Sequence, residues 1–417
     1  MADQTMAAAP VQAQPSQAEL LRAAKIRRRY PTVTDLRLGA KRRIPRFAFD
    51  YLDGNANEEY CYNRNVSALQ KIELLPRYSV NVDKISYDIE LFGRRYAAPF
   101  GIAPMGSPGA IWPGAEHYLA AEAQRRRIPY VIATPTNATV EEIAKIAPDV
   151  LWFQLYRFPR NNHAITDDLV NRAERAGAHV LVMTVDTPLG LKRPRDIRNG
   201  ISIRAPFRTG PTEVYQVATS PAWLLEVWKK GIPQLNNIAP YAKAQDRHSI
   251  ARVMADENGG SHRWDEIARM RDRWNKPLVL KGIMHPRDAE RAAALGVDGI
   301  VVSNHGGRNF DGAPATIDLL PAVSAAVGTR MTVLFDSGVR SGLDVVRAVA
   351  LGAKCVFIGR PMLYGLAALG GEGARYVVDM FFDELRGEFS HLGAVSVADV
   401  AAAETRHPGA WRPGANS

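Results

Sequence analysis

A closed (β/α)8 barrel is the fold this chain predicts, and three observations predict it. From Pro99 onward, short apolar, β-branched runs alternate with helical stretches of about ten to fifteen residues. Eight such runs occur, apolar on both faces, as befits parallel strands covered by helices. Each run ends in polar or conformationally special residues, where a barrel of this kind gathers its functional groups. An open doubly wound sheet is the runner-up. The absence of a Gly-x-Gly-x-x-Gly turn after the first run argues against it.

The elements follow in order. Residues 1–17 are rich in Ala, Gln and Pro and are expected to be a disordered tail. Residues 18 to about 95 read as helices followed by short irregular or extended pieces. The eight expected strands are Phe100–Pro104, Tyr130–Thr134, Leu151–Tyr156, Val180–Asp186, Leu278–Gly282, Gly299–Asn304, Thr332–Gly338 and Cys355–Gly359. Between them, Glu116–Arg126, Asp167–Ala176, Pro286–Leu295 and Leu343–Leu351 have helical period. One break interrupts the rhythm. Roughly ninety residues, Thr187 to Lys276, replace the crossover after strand four, with the insertion proper at about 205–262; so long a connection is usually functional. It carries the amphipathic stretch Pro221–Lys230, with Trp223, Leu224, Val227 and Trp228 at helical spacing beside Lys229 and Lys230. A membrane-surface contact, a lid and a subunit contact all fit such a stretch. Residues 18–400 are thus expected to form one barrel domain, and 405–417 a flexible tail.

Composition narrows the class. With 417 residues, 46% hydrophobic and 23% charged, the chain has the make-up of a soluble globular enzyme. No apolar leader and no run long enough to span a bilayer is visible, so the expectation is a cytoplasmic protein, peripheral on the inner face of the cell membrane if the insertion binds lipid. The two cysteines lie far apart, without metal or disulfide spacing, and Cys355 sits in an apolar run as a core residue would. The net charge of +10 is compatible with nucleic acid, an anionic membrane or anionic ligands. No nucleic-acid-binding motif accompanies it, so a nucleic-acid partner is not expected.

The strand ends carry the chemistry. Strand six runs into Ser303-Asn304-His305-Gly306-Gly307-Arg308, which brings a base and a fixed cation to one point. Histidine suits proton transfer near neutral pH, and arginine grips a carboxylate with a fork. Together they point to proton abstraction from a small carboxylate. The other ends are Pro104-Met105-Gly106, Thr134, Gln154-Leu155-Tyr156, Thr184-Val185-Asp186, Lys281, Asp336-Ser337-Gly338-Val339-Arg340 and Gly359-Arg360. Strands seven and eight form the usual phosphate corner of such barrels, with Gly338 and Gly359 baring backbone and Arg340 and Arg360 supplying charge. Lys281, Gln154, Thr184 and Thr134 then face a flat polar ring over the mouth. A phosphate plus such a ring suggests flavin mononucleotide, FMN.

In these motifs the chain resembles the FMN-dependent α-hydroxy acid dehydrogenase/oxidase family, which includes glycolate oxidase, flavin L-lactate dehydrogenases and (S)-mandelate dehydrogenase. Phe49-Asp50-Tyr51, Ile102-Ala103-Pro104, Trp152-Phe153-Gln154-Leu155-Tyr156 and Thr184-Val185-Asp186-Thr187-Pro188 match in the family's order, from about residue 25 to about 395 with the later motifs. Gly109-Ala110-Ile111-Trp112-Pro113 and Gly231-Ile232-Pro233-Gln234-Leu235 have the flavour of its membrane-associated dehydrogenases. The resemblance implies that His305 is the base and that Asp186 orients it. It implies that Arg308 and Arg193 hold the substrate carboxylate with Tyr51, that Tyr156 binds the substrate oxygen, and that Lys281 lies at the flavin N1/O2 edge. Pro104, Met105, Gly106, Ser303 and Asp336 complete the implied FMN contacts. Read singly, Tyr51 suits an aromatic core, Arg193 a solvated basic cluster and Asp186 a turn; the joint match moves all three toward function.

The implied activity is oxidation of a lactate- or mandelate-like L-2-hydroxy acid to the 2-keto acid, by a homotetramer, with electrons passing to a quinone, a cytochrome or oxygen. An oxygen-using oxidase that makes hydrogen peroxide, another FMN barrel such as a flavin isomerase, and a flavin-binding protein without catalysis are the alternatives. The chain departs from the family pattern in three places. Asn309-Phe310-Asp311 replaces Gln-Leu-Asp. Gly106 follows Met105 where a Thr-Ala pair is common, leaving room beside the flavin. Ser337 stands in a turn that is usually Asp-Gly-Gly, compatible if its φ is negative.

Overall fold

The computed structural model describes residues 16–188, 192–200 and 210–411. Eight parallel strands close into a barrel: β1 (Phe100–Ile102), β2 (Tyr130–Ile132), β3 (Leu151–Leu155), β4 (Val180–Thr184), β5 (Leu278–Ile283), β6 (Gly299–Val302), β7 (Thr332–Asp336) and β8 (Cys355–Ile358). Strand β8 pairs back onto β1, with Val356 opposite Phe100, and no edge is left open. The strands are buried almost throughout, which is why they read as continuous apolar runs. Seven end one or two residues earlier than the sequence suggests and β5 ends one later. Gln154, Thr184, Lys281 and Asp336 still pair in the ladder, while Tyr156, Asp186 and His305 have left it at the mouth. Cys355 is fully buried, as expected.

Four helices precede the barrel: α1 (Gln17–Arg29), α2 (Val33–Arg43), α3 (Arg46–Asp53) and α4 (Tyr60–Gln70). A capping box between Thr32 and Asp35 opens α2, which buries Val33, Leu36 and Ala40. Helix α3 buries Phe49 and Leu52 and so directs its neighbouring face, with Tyr51, toward the barrel mouth. A hairpin, Ile89–Leu91 against Arg94–Tyr96, brings Tyr96 to Trp152, whose indole donates to its hydroxyl at 2.9 Å.

Three expectations need correction. The tail expected through residue 17 does not reach that far, because α1 begins at Gln17; residues 1–15 lie outside the described ones. The C-terminal segment is no free tail. Thr405 and Arg406 pair antiparallel with Leu74 and Glu73, and the Trp411 amide donates to the Asp318 carbonyl at 2.8 Å. Residues 412–417 lie outside the described ones.

The third correction concerns the insertion, which forms α5 (Pro211–Ala218) and α6 (Pro221–Lys230), followed by helices at Arg247–Glu257 and Trp264–Arg273 before the chain rejoins the barrel; residues 201–209 are not among the described ones. Its two tryptophans do not share a face. Trp223 is buried, T-shaped against Phe47 at 5.9 Å, and donates to the Ala110 carbonyl at 3.3 Å. Trp228 is 80% exposed. They stand five positions apart, about 500° of helical turn, which puts them on different faces. The far end of the insertion is pinned by Asn237, whose side chain donates to the Thr134 carbonyl and accepts from Val140 N and Arg172. The helix after β8, α7 (Arg360–Leu369), packs on α2 and returns the chain to the N-terminal helices.

Candidate active site

At the end of β6, His305 takes a left-handed backbone conformation, φ 58°. Such strain is costly away from glycine and collects at functional sites. It turns the imidazole so that Nδ1 lies 3.0 Å from the Asp186 carboxylate, with Nε2 3.5 Å from the Tyr156 hydroxyl. Asp186 comes so close because Gly282 follows Lys281: a Cβ on Gly282 would stand 2.5 Å from the Asp186 side chain. Burial pulls His305 below the ordinary histidine value despite the opposing pull of Asp186. Burial raises Asp186, but the His305 partner outweighs it and keeps the carboxylate ionised. Burial lifts Tyr156 to about 12, with Asp186 adding to the effect, so its hydroxyl keeps its proton.

Two arginines and a tyrosine border the same space. Arg308 donates through Nη1 to the Tyr51 and Gly54 carbonyls at 2.9 and 2.8 Å, and its guanidinium lies 5.2 Å from the Tyr51 ring centre. Tyr51 donates to the Gly106 carbonyl at 3.1 Å. Arg193 donates to the Arg308 carbonyl at 3.3 Å. Burial, and then the neighbouring charge of Arg308, depress Arg193 to about 10. Asp196 lies 3.9 Å from the Arg193 guanidinium and is the carboxylate nearest this pair of cations, its charge acting on both.

Arg193 is placed by its surroundings. Lys192 accepts from Asn57 N, Arg195 ion-pairs with Asp53 at 2.7 Å and Glu59 at 2.6 Å, and Asn199 donates to Asp50. Asp53 is almost fully buried and also accepts from Arg37 and the Tyr364 hydroxyl. The start of the insertion is therefore clamped to the end of α3.

Across the mouth, the ends of β2, β3 and β4 are stitched together. Thr134 Oγ1 donates to the Gln154 carbonyl at 2.7 Å, and Gln154 Nε2 donates to Thr184 Oγ1 at 2.8 Å. Lys281 donates to Ser303 at 2.8 Å and pairs with Asp336 at 3.0 Å. Burial draws the Lys281 ammonium down, but Asp336 and Asp186 outweigh it and hold the group above its usual value. A cleft runs from there along Pro104, Met105 and Gly106 to Gly338, Arg340, Gly359 and Arg360.

The far end suits a phosphate. Gly338 sits at φ 87°, and a Cβ there would meet Asn65 backbone at 2.8 Å. The Nη2 of half-buried Arg340 is itself buried and has no hydrogen-bond acceptor among the described residues, a donor left over for a ligand. Arg360 is engaged by the Leu52 and Gly306 carbonyls at 3.2 and 3.1 Å and contributes charge near a fixed position. The donors match an elongated anion with a flat polar end, as FMN has.

Residues 40–407 match the FMN-dependent dehydrogenase family. The chain belongs to it. This FMN-dependent dehydrogenase is 39% identical over 373 residues to the L-lactate dehydrogenase of Pseudomonas syringae pv. syringae, covering 89% of this chain and 97% of that protein. It is 40% identical over 375 residues to the L-lactate dehydrogenase of Caulobacter vibrioides, covering 88% and 96%. Among solved structures, the monotopic membrane protein (S)-mandelate dehydrogenase superposes with a TM-score of 0.84 at 33% identity, over 90% of this chain and 99% of that one. A mandelate oxidase with (S)-4-hydroxymandelic acid superposes at 0.78 and 34% identity, over 91% and 99%. The cofactor of this dehydrogenase is FMN.

Tyr51, Met105, Lys281, His305, Arg308, Arg340 and Arg360 line this cleft, and Asp186, Tyr156 and Arg193 hydrogen-bond to members of it, but two neighbours differ from expectation. Ser337 has φ 86°, not the negative value expected. Its hydroxyl offsets the strain by accepting from Gly306 N at 3.0 Å and donating to Asp336 at 2.8 Å. Tyr62 on α4 lies under both Arg340 and Arg360, 5.4 and 5.2 Å from its ring centre. Burial raises its hydroxyl, yet the two arginines win and lower it. Tyr62 and the Asp53 clamp went unnoticed. Both lie in the helical N-terminal region, where only a chain-distant partner reveals a role.

Proposed function

We propose that this dehydrogenase oxidises a small L-2-hydroxy acid to the 2-keto acid, with His305 as the base. The observation that carries the reading is the His305–Asp186 pair, 3.0 Å apart, at a cleft bordered by Tyr51 and Arg308 with Arg193 beside them. The lactate and mandelate dehydrogenases that resemble the chain support it. Bound FMN supplies the acceptor for the two electrons of the C2–H bond. Arg308 and Arg193 hold the substrate carboxylate, with Tyr51 adding a hydroxyl. Tyr156, which keeps its proton, donates to the substrate oxygen. His305, neutral because burial lowers its pKa, takes the proton at Nε2, and Asp186 steadies the imidazolium that results.

The remaining residues hold the cofactor. Lys281 would supply the cation that favours negative charge on the flavin, and Thr134, Gln154, Thr184 and Ser303 would hold the polar groups of its ring. Pro104, Met105 and Gly106 form one wall. Asp336 fixes Lys281, while Gly338, Arg340, Gly359 and Arg360 receive the phosphate.

The substrate is lactate- or mandelate-like. At Gly106 the missing Cβ would stand 3.6 Å from the Tyr51 hydroxyl and 3.4 Å from Pro135, so its absence widens the wall beside the carboxylate grip. The electron acceptor is a membrane quinone, and the insertion is the membrane face. Leu224, Leu225, Trp228 and Ile232 are exposed there, and a monotopic structural neighbour supports the reading. No described helix is long and apolar enough to cross a membrane, so the contact is peripheral.

Anaerobic mixing with lactate, mandelate and glycolate tests the activity through bleaching of the flavin band. Bound FMN that none of them bleaches would end the 2-hydroxy acid reading. Peroxide formed in step with substrate under air would replace the quinone with oxygen.

A further inference from the structure

We propose that the groove where α1 and α2 meet the insertion helix α6 binds the phosphate head group of an anionic phospholipid. The inference rests on the insertion being a membrane face and adds a site to it. Arg22, Lys25 and Arg29 of α1 and Arg42 and Arg43 of α2 line a groove of about 560 Å³. Two carboxylates stand near these five cations: Glu372, paired with Arg22 at 2.8 Å, and Glu226, which acts on Arg43 and also pairs with Lys229 at 3.5 Å. No ion pair among the described residues holds Lys25, Arg29, Arg42 or Arg43; Arg29 and Arg43 lie instead against the rings of Tyr30 and Trp112. The groove's other wall is Pro221 and Ala222 of α6, with Leu369 at the end of α7, and it is apolar. Cations on one side and aliphatic groups on the other match a phosphate carried on a glycerol ester.

The state of α1 points the same way. Of its described side chains only Ile26 is even partly buried, and Leu20 and Leu21 are 55% and 67% exposed. A helix of about this length, packed on so little, is marginal in water and gains from a partner surface. An anionic bilayer supplies both things α1 lacks, counter-charge for its arginines and an apolar layer for its leucines. Helix α6 borders the same groove and exposes Leu224, Leu225 and Trp228. Both helices thus border the basic groove and both carry exposed apolar side chains. A free anion or an acidic protein would satisfy the charges and leave those apolar groups in water.

The test uses the full-length FMN-loaded enzyme and vesicles of phosphatidylcholine, alone or mixed with phosphatidylglycerol. Wild type should sediment with the mixed vesicles and much less with phosphatidylcholine. Lys25→Glu/Arg42→Glu should lose roughly tenfold or more in affinity for the mixed vesicles. It should reduce its flavin with substrate at the wild-type rate, which shows that it is folded. Trp228→Ala should weaken binding to both kinds of vesicle. If the charge variant keeps the wild-type preference for phosphatidylglycerol, the groove is not the site, whatever Trp228→Ala does. If wild type ignores both vesicles, the membrane reading falls and takes the groove with it. If inorganic phosphate at millimolar concentration displaces the enzyme from mixed vesicles, the groove is a free-phosphate site and the proposal is overturned.

Discussion

The mouth of the barrel and the insertion after β4 are built on opposite principles. At the mouth, eight short strands fix where each chain end emerges, and the reactive groups reach one another over 2.7–3.5 Å, between neighbouring ends or, for Tyr156 and His305, across the mouth. The insertion has no such frame. It is held by contacts made far from its own sequence: Trp223 on Phe47, Asn237 on Thr134, Arg195 on Asp53. The contrast shows that a repeated frame makes a site rigid and readable, whereas a long excursion is ordered by a few anchors, each critical. Arg193 belongs to both regions, since the site uses a residue that the insertion holds.

Substitutions can break this contrast or sharpen it. The largest effect is expected at the mouth. His305→Gln should slow flavin reduction by roughly 10² to 10⁴ fold while FMN stays bound, because a positioned base is lost and the frame is not. Anaerobic stopped-flow and the flavin spectrum check both halves. The same histidine sets the pH profile. A neutral imidazole is needed and its pKa lies below the ordinary 6.5, so kcat/KM should stay level as pH falls past 6.5 and drop only at more acid pH. An acid limb above 6.5 would contradict the buried, neutral base.

At an anchor the loss should be one of stability instead. Trp223→Ala removes a buried ring and is expected to cost about 3 kcal/mol, seen as a lower Tm with the flavin environment little changed. An intermediate effect is expected at the junction. Arg195→Ala frees the segment that carries Arg193, and should weaken substrate binding about tenfold, or 1.4 kcal/mol, with the limiting rate of flavin reduction nearly intact. Arg195→Lys should restore part of the affinity. Equal loss in the limiting rate would mean that the clamp shapes the reacting geometry itself. The smallest effect belongs to Trp228→Ala, within about 0.5 kcal/mol in stability, since the ring is 80% exposed. A large drop in Tm would show that Trp228 is buried against another copy of the chain.

The same contrast explains what could be read in advance. Short continuous apolar runs such as Leu151–Leu155, spaced by helical stretches, announce strands by themselves, and the polar residue at each end announces the mouth. Hence Gln154, Lys281 and His305 could be placed before any coordinates. Trp223 and Trp228 stand on different faces by spacing alone, but which of the two is buried is decided only by the docking of α6 on Phe47. The pairing of Thr405 with Leu74 spans most of the chain and has no local signature. Asp53 looks like an ordinary helix terminus until Arg37, Arg195 and Tyr364 converge on it. Ser337 misled for a different reason. Side-chain hydrogen bonds can sustain a backbone angle that propensity alone assigns to glycine.

Ser337 also ties two failures into one. Its hydroxyl joins the loop after β7, which carries Gly338 and Arg340, to the Gly306 amide next to His305. The phosphate loop and the base loop are thus linked parts, not independent modules. Heat, denaturant or a substitution that loosens one should loosen the other. The enzyme should therefore lose its cofactor and its base together, passing straight from an active holoenzyme to an inactive apoprotein without a yellow but idle stage.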